Sequence, residues 1–171
     1  LTGEYLNREK TNRSPAGEPR VIGDAATENI NLFLNLEVGV GEYGTFYGHG
    51  GYKTRDGLAG AWYRDGVGSD DIPSRNSAEM YPGGFVPNIG TDIKDFSAAF
   101  GYRTILNDWR FDASNTYGSN KMTYLISHTL NASIANLNNG ISPDRFDAGG
   151  FEFTQNPANV DVSRYFTDIL Q

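Results

Sequence analysis

An all-β fold of antiparallel up-and-down strands follows from three features of this 171-residue sequence. Apolar side chains recur with period two over several long segments. No window of useful length holds them at helical spacing, and the connections between segments alternate between long and short.

The segments follow in order. Residues 1–9 alternate loosely. From Asn29 onward the pattern is strict, with Ile30, Leu32, Leu34, Leu36 and Val38 on one face and Asn29, Asn31, Phe33, Asn35 and Glu37 on the other. The stretch Gly39-Val40-Gly41-Glu42-Tyr43 reverses the chain. Phe46, Gly48, Gly50 and Tyr52 then oppose Tyr47, His49, Lys53 and Arg55 in a strand expected to reach residue 63. The next strand, over 93–106, sets Phe96, Ala98, Phe100 and Tyr102 against Ser97, Gly101 and Arg103. Asn107-Asp108 is a tight turn into a strand over 109–126, where Trp109, Phe111, Ala113 and Tyr117 alternate with Arg110, Asp112, Ser114 and Thr116. A sixth strand is expected over 154–167, with Pro157 near an end or edge because proline donates nothing to a ladder. Alternation puts Arg164 with Val160 and Val162 on the apolar face, where a long stem lets the guanidinium snorkel to water.

These boundaries leave connections at 10–28, 39–43, 65–92, 107–108 and 127–153, strictly long then short. Every second connection of an up-and-down sheet lies at the same end, so one end carries short turns and the other long loops. Outer-membrane barrels have this asymmetry, with short periplasmic turns and long extracellular loops. A soluble β-sandwich shows the same alternation. Two features favour the barrel. The polar face is rich in charge (Glu37, Lys53, Arg55, Arg103, Arg110, Asp112), as a wet lumen allows. Trp109 beside a short turn and Trp62-Tyr63 toward the long loops fit two interfacial girdles.

Composition narrows the function classes. The net charge of −7 argues against a nucleic-acid partner, and the absence of cysteine excludes disulfides, Cys-ligated metals and thiol nucleophiles. The longest apolar candidate, 30–38, is interrupted by Asn31, Asn35 and Glu37, far short of the ~20 residues of a spanning helix. Strands that alternate pass no such test, so a barrel stays open. The sequence starts directly in polar, strand-like residues, and any targeting segment is expected to have been removed or to lie outside it.

At this point the residues resemble a family. Tyr47-Gly48-His49-Gly50-Gly51-Tyr52 with Arg55-Asp56-Gly57, Ala61-Trp62-Tyr63-Arg64, and Tyr81-Pro82-Gly83-Gly84-Phe85-Val86-Pro87-Asn88-Ile89 look like barrel segments of TonB-dependent outer-membrane receptors. Gly101-Tyr102-Arg103, Trp109 with Asp112, Tyr117-Gly118-Ser119-Asn120, Thr129-Leu130-Asn131-Ala132-Ser133, and Ser142-Pro143 leading to Phe146-Asp147-Ala148-Gly149-Gly150 follow in the same order. The resemblance implies a Gram-negative outer-membrane receptor for active uptake of a scarce nutrient: an iron chelate, cobalamin or an oligosaccharide. It implies as partners the rest of the barrel and its plug, outer-membrane lipid, the TonB complex acting through the plug, and an unidentified small ligand. Neither a plug domain nor a TonB box is recognisable in these residues, and 135–140 is longer than the usual connection there. Six strands are therefore expected to be part of a barrel of about 22.

Candidate sites are few. Tyr81, Phe85, Asn88, Asn138 and Asn139 combine aromatic platforms with amide donors, a mixture suited to binding sugars or chelates. The competing reading folds Tyr81-Pro82 and Phe85 onto their own loop. Asp70-Asp71 is a candidate for calcium, which wants clustered carboxylates, against the plainer reading of a solvated acidic loop. His49 and His128 are far apart in sequence, so no metal site is expected, and His49 belongs on the polar face. Ser114, Ser119 and Ser133 have no convincing His partner and no Gly-x-Ser-x-Gly elbow. Gly48-His49-Gly50-Gly51 lies within a strand and is no phosphate loop. No enzyme activity and no cofactor are expected. The runner-up is a soluble β-sandwich acting as a carbohydrate-binding module.

Overall fold

The computed structural model describes residues 1–166. One antiparallel sheet accounts for most of them: β1 (Thr2–Arg8), β2 (Ala26–Val40), β3 (Gly44–Gly60), β4 (Asn88–Leu106), β5 (Trp109–Ser127), β6 (Arg145–Gln155) and β7 (Ala158–Arg164), with a short helix α1 (Ala132–Leu137) between β5 and β6. The sheet order is β1-β2-β3-β4-β5-β6, and β7 also pairs with β5. β6 and β7 are one line of chain broken at Asn156-Pro157. β6 covers β5 from Ser127 to Gly118 and β7 covers it from Asn115 to Trp109. Proline has no N–H for the ladder. Its carbonyl, however, accepts from the backbone N–H of Thr116 at 2.9 Å and from Asn115 Nδ2 at 3.1 Å.

Several boundaries differ from expectation, and β2 already begins at Ala26 rather than 29. β4 begins at Asn88 rather than 93. β3 ends at Gly60 rather than 63, although an isolated bridge continues the pairing at Arg64 and Phe85. β6 starts at Arg145, so the loop expected over 127–153 is only 128–144, and the single strand expected over 154–167 is two, β6 and β7. Residues 145–155 escape the alternation rule because Phe151 and Phe153 fall on the otherwise polar face while Glu152 and Thr154 share the apolar one. A register shift between Thr123 and Leu125, next to Gly149 at φ 78, breaks the pattern further. Residue 167 of the expected strand lies outside the described residues.

The alternation of connections holds. Residues 9–25, 61–87 and 128–144 are long loops at one end, while 41–43 and 107–108 are tight turns at the other. Asn107 and Asp108 both take positive φ, 49° and 66°, the twist-matching geometry of a two-residue hairpin.

The sheet is open and single-layered. Strands contact only their hydrogen-bonded neighbours, and β1 does not meet β6 or β7. Among the described residues the buried apolar side chains are few: Phe85, Pro87, Ala99 and Ala135. Among the described residues no helix is long and apolar enough to cross a membrane, which leaves crossing by strands untouched.

Candidate functional site

Register fixes what each face presents. One face carries, row by row, Leu32-Tyr52-Phe96-Ser119, Leu34-Gly50-Ala98-Tyr117, Leu36-Gly48-Phe100-Asn115, Val38-Phe46-Tyr102-Ala113 and Val40-Gly44-Thr104-Phe111, with Val160 and Val162 extending the last two. These apolar side chains are open to the surroundings, Leu34 at 51% and Phe100 at 66%. Above them the same face turns charged. Lys94, Lys121 and Glu152 share one row, and Asp56 and Asp92 lie in the next. Lys94 pairs with Asp92 at 3.3 Å and Lys121 with Glu152 at 3.7 Å. Below, Trp109 meets Phe166 edge to face at 6.0 Å, and the Arg164 guanidinium lies 5.6 Å from the Trp109 ring. Arg164 thus stands on the apolar face at the strand end, as expected, turned toward an aromatic and toward Asp108 at 3.9 Å. The charged row is not among the features expected from the sequence. Its signal was available, because in β4 one face changes from Phe96 to Lys94 and Asp92 without a break in alternation.

The opposite face holds Glu37, Lys53, Arg55, Arg103, Arg110 and Asp112 as expected. Asn31 Nδ2 donates to Glu4 at 2.7 Å, Asn120 Nδ2 donates to Asp95, and Arg103 is paired with Glu37. The Tyr47 hydroxyl donates to Asp112 at 2.5 Å, and Arg103 lies 5.6 Å from the Tyr47 ring centre. His49 stacks on Phe33 with ring centres 6.3 Å apart, the polar-face role expected of it.

The long-loop end carries a hydrogen-bonded cap made by residues 61–87 and 128–144. Asn76, wholly buried, donates to the carbonyls of Asp65 at 2.8 Å and Tyr81 at 3.0 Å and accepts from the Ser77 N–H at 2.6 Å. Ser77 Oγ donates to the Gly140 carbonyl at 2.6 Å, and the Tyr81 hydroxyl donates to the Thr129 carbonyl at 3.3 Å, joining the two loops. Gly140 has φ 84°, and a Cβ there would stand 2.5 Å from Glu79 Cγ, so the loops meet where only glycine fits. Asn131 starts α1 by accepting from the Ile134 N–H at 3.1 Å.

The expected ligand residues do not converge. Phe85 is only 5% exposed and stacks on Tyr81 at 4.2 Å, with His128 edge-on to both. This is the self-folded loop of the competing reading. Burial pushes the Tyr81 phenol above its ordinary range, and the nearby Asp144 charge adds to the rise. Asn88 begins β4 opposite Gly60 and Ser127, within the sheet rather than a loop. Asn138 closes α1, its side chain donating to the Ile141 carbonyl at 3.2 Å, and exposed Asn139 takes φ 49°. Asp71 is buried with one oxygen 3.0 Å from Arg75 Nε and the other accepting the Asp65 N–H at 2.8 Å, while Asp70 is exposed. Both Asp71 oxygens therefore have partners within the fold. Among the described residues no three His, Cys, Asp or Glu side chains gather as metal ligands would.

The third loop, 9–25, closes on itself through Arg13 and Asp24 at 2.8 Å and sends Arg20 to within 5.9 Å of the exposed Trp62 ring. The Arg20 guanidinium, hydrogen-bonded to Glu18, holds that carboxyl below its ordinary range. No protein-family model, curated protein or solved structure matches this chain.

Proposed function

We propose that this chain is a segment of a TonB-dependent outer-membrane receptor, supplying barrel wall and three extracellular loops for active uptake of a scarce nutrient such as an iron chelate, cobalamin or an oligosaccharide. The observation that carries this reading is the apolar belt on a single-layered sheet. It runs for about 10 residues per strand, between the charged row at Lys94, Lys121 and Glu152 and the aromatic cluster at Trp109. At ~3.4 Å per residue and a tilt of ~40°, that is about 26 Å, the height of the lipid-facing band of an outer-membrane barrel.

A soluble sandwich would cover such a face with a second sheet. Here the belt side chains are open and nearly all inter-strand packing is lateral. An exposed apolar surface of this extent marks contact with lipid or protein. The polar face, with its ion pairs and amides, suits a lumen filled by water and a plug.

In this reading the partners are the remaining strands, the plug, outer-membrane lipid and, through the plug, the TonB complex. The location is the outer membrane of a Gram-negative bacterium, and the role is transport without catalysis or cofactor. Membrane fractionation with protease treatment of intact cells tests it. The chain is expected in the outer-membrane fraction, extracted only by detergent, with cleavage in the loops from outside. Solubility in plain buffer together with full protection of the three loops would sink the reading.

A further inference from the structure

A cleft of about 240 Å³ opens in the cap between loops 61–87 and 128–144, lined by Arg64, Arg75, Phe85, Thr129 and Leu130 among others. No carboxylate is part of its lining among the described residues, although the chain carries 21 acidic residues against 14 basic ones. Arg64 is fixed through its main chain and Arg75 through its side chain. Arg64 exchanges two backbone hydrogen bonds with Phe85, at 2.8 and 2.9 Å, and its guanidinium has no ion-pair partner among the described residues. Arg75 is oriented through Nε by the buried Asp71, at 3.0 Å, which leaves its terminal Nη donors unused by that pair. Asp71 in turn is fixed by the Asp65 N–H at 2.8 Å. Phe85 and Leu130 supply an apolar wall, beside which a charge-assisted hydrogen bond is stronger than in open water.

We propose that this cleft binds a small oxyanion, the carboxylate or phosphate group of an extracellular solute, through the guanidinium groups of Arg64 and Arg75. A guanidinium presents paired N–H donors at the spacing of carboxylate or phosphate oxygens. Arg64 provides the uncompensated charge, and Arg75, its own charge partly met by Asp71, provides direction. The proposal deepens the receptor reading and rests on it for access from outside the cell.

Calorimetric titration of the intact chain in uncharged detergent micelles at low salt, with inorganic phosphate and separately with acetate, tests it. Saturable binding of at least one anion is expected, weakened about tenfold or more in Arg64→Gln and in Arg75→Gln. Arg64→Lys should keep part of the affinity, and Lys53→Gln, on the sheet, should keep all of it. Stronger binding of phosphate or of acetate identifies which oxyanion the cleft prefers. Absence of saturable binding by both, or undiminished binding in the double variant Arg64→Gln/Arg75→Gln, overturns the proposal. Insertion of the same chain into lipid vesicles is measured in parallel. Binding without insertion keeps the cleft and removes the receptor reading, and insertion without binding does the reverse.

Discussion

The Tyr47 hydroxyl on β3 reaches across β4 to donate to Asp112 Oδ1 on β5 at 2.5 Å. The ring crosses over Gly101, where a Cβ would stand 2.4 Å from Tyr47 Cζ. Three neighbouring strands are thereby tied by one side chain. Gly101→Ala is expected to displace the ring and cost about 1 to 3 kcal/mol, as overpacking does. Tyr47→Phe, which leaves Asp112 without its donor, should cost about 1 kcal/mol or more. Denaturant midpoints in detergent check both, and a Gly101→Ala chain as stable as the parent would contradict the crossing.

The belt makes a depth argument. Leu36 lies mid-belt, one residue from Asn35 on the other face. Leu36→Arg should destabilise the protein in lipid vesicles by about 2 to 4 kcal/mol, and Asn35→Arg by much less. Equilibrium folding into vesicles measures the difference. Equal costs at the two positions would mean that the faces do not differ in their surroundings.

Asn76 is the polar centre of the cap. Replacing it with alanine strands the carbonyls of Asp65 and Tyr81 and the Ser77 N–H. A loss of about 2 to 3 kcal/mol of local stability is expected. Hydrogen exchange at the Tyr81 and Phe85 amides should accelerate in Asn76→Ala while β4 and β5 amides keep their rates. Acceleration everywhere would show that cap and sheet open together.

The cap also has a pH dependence whose sign is fixed. Burial raises the Tyr81 phenol, so the folded cap holds that proton more tightly than the unfolded chain does. The resulting stability is fully present below the unfolded value of about 10 and is lost as pH rises through the higher folded one. Protease sensitivity of 61–87 should increase above about pH 10, and the increase should shrink in Tyr81→Phe. An unchanged profile in that variant would assign the transition to another group.

Much of this architecture was legible in the residues. β2 through β5 put one face of apolar side chains against another of charges and amides, so period two alone assigns Leu34 and Glu37 to opposite faces, and the alternating connection lengths predict the end of the sheet that carries long loops. β6 was hidden because polarity inverts there, Phe151 and Phe153 joining the charged face, and because the register shift near Gly149 breaks the count. α1 has six residues and fills no helical window. The cap was the least visible part. Asn76, Ser77 and Asp71 act by hydrogen bonds to backbone groups distant in sequence, and no periodicity encodes such partners. Tyr81 and Phe85 stand out in the sequence as aromatic, but only the fold separates a ligand platform from a loop's own core. Arg64 and Arg75, eleven positions apart, become neighbours of one cleft through the turn that Asp71 anchors.

Because the chain has no cysteine, single-site labelling along β2 can be done without a background. Cysteine replacements at residues 32 to 37, each carrying a spin label in a lipid bilayer, give accessibility to a lipid-soluble and a water-soluble relaxation agent. The expected result is a period of two, with lipid access at Leu32, Leu34 and Leu36 and water access at Phe33, Asn35 and Glu37. Water access of equal degree at all six positions, or access to neither agent on the apolar side, would contradict a lipid-facing belt and with it the proposed barrel wall.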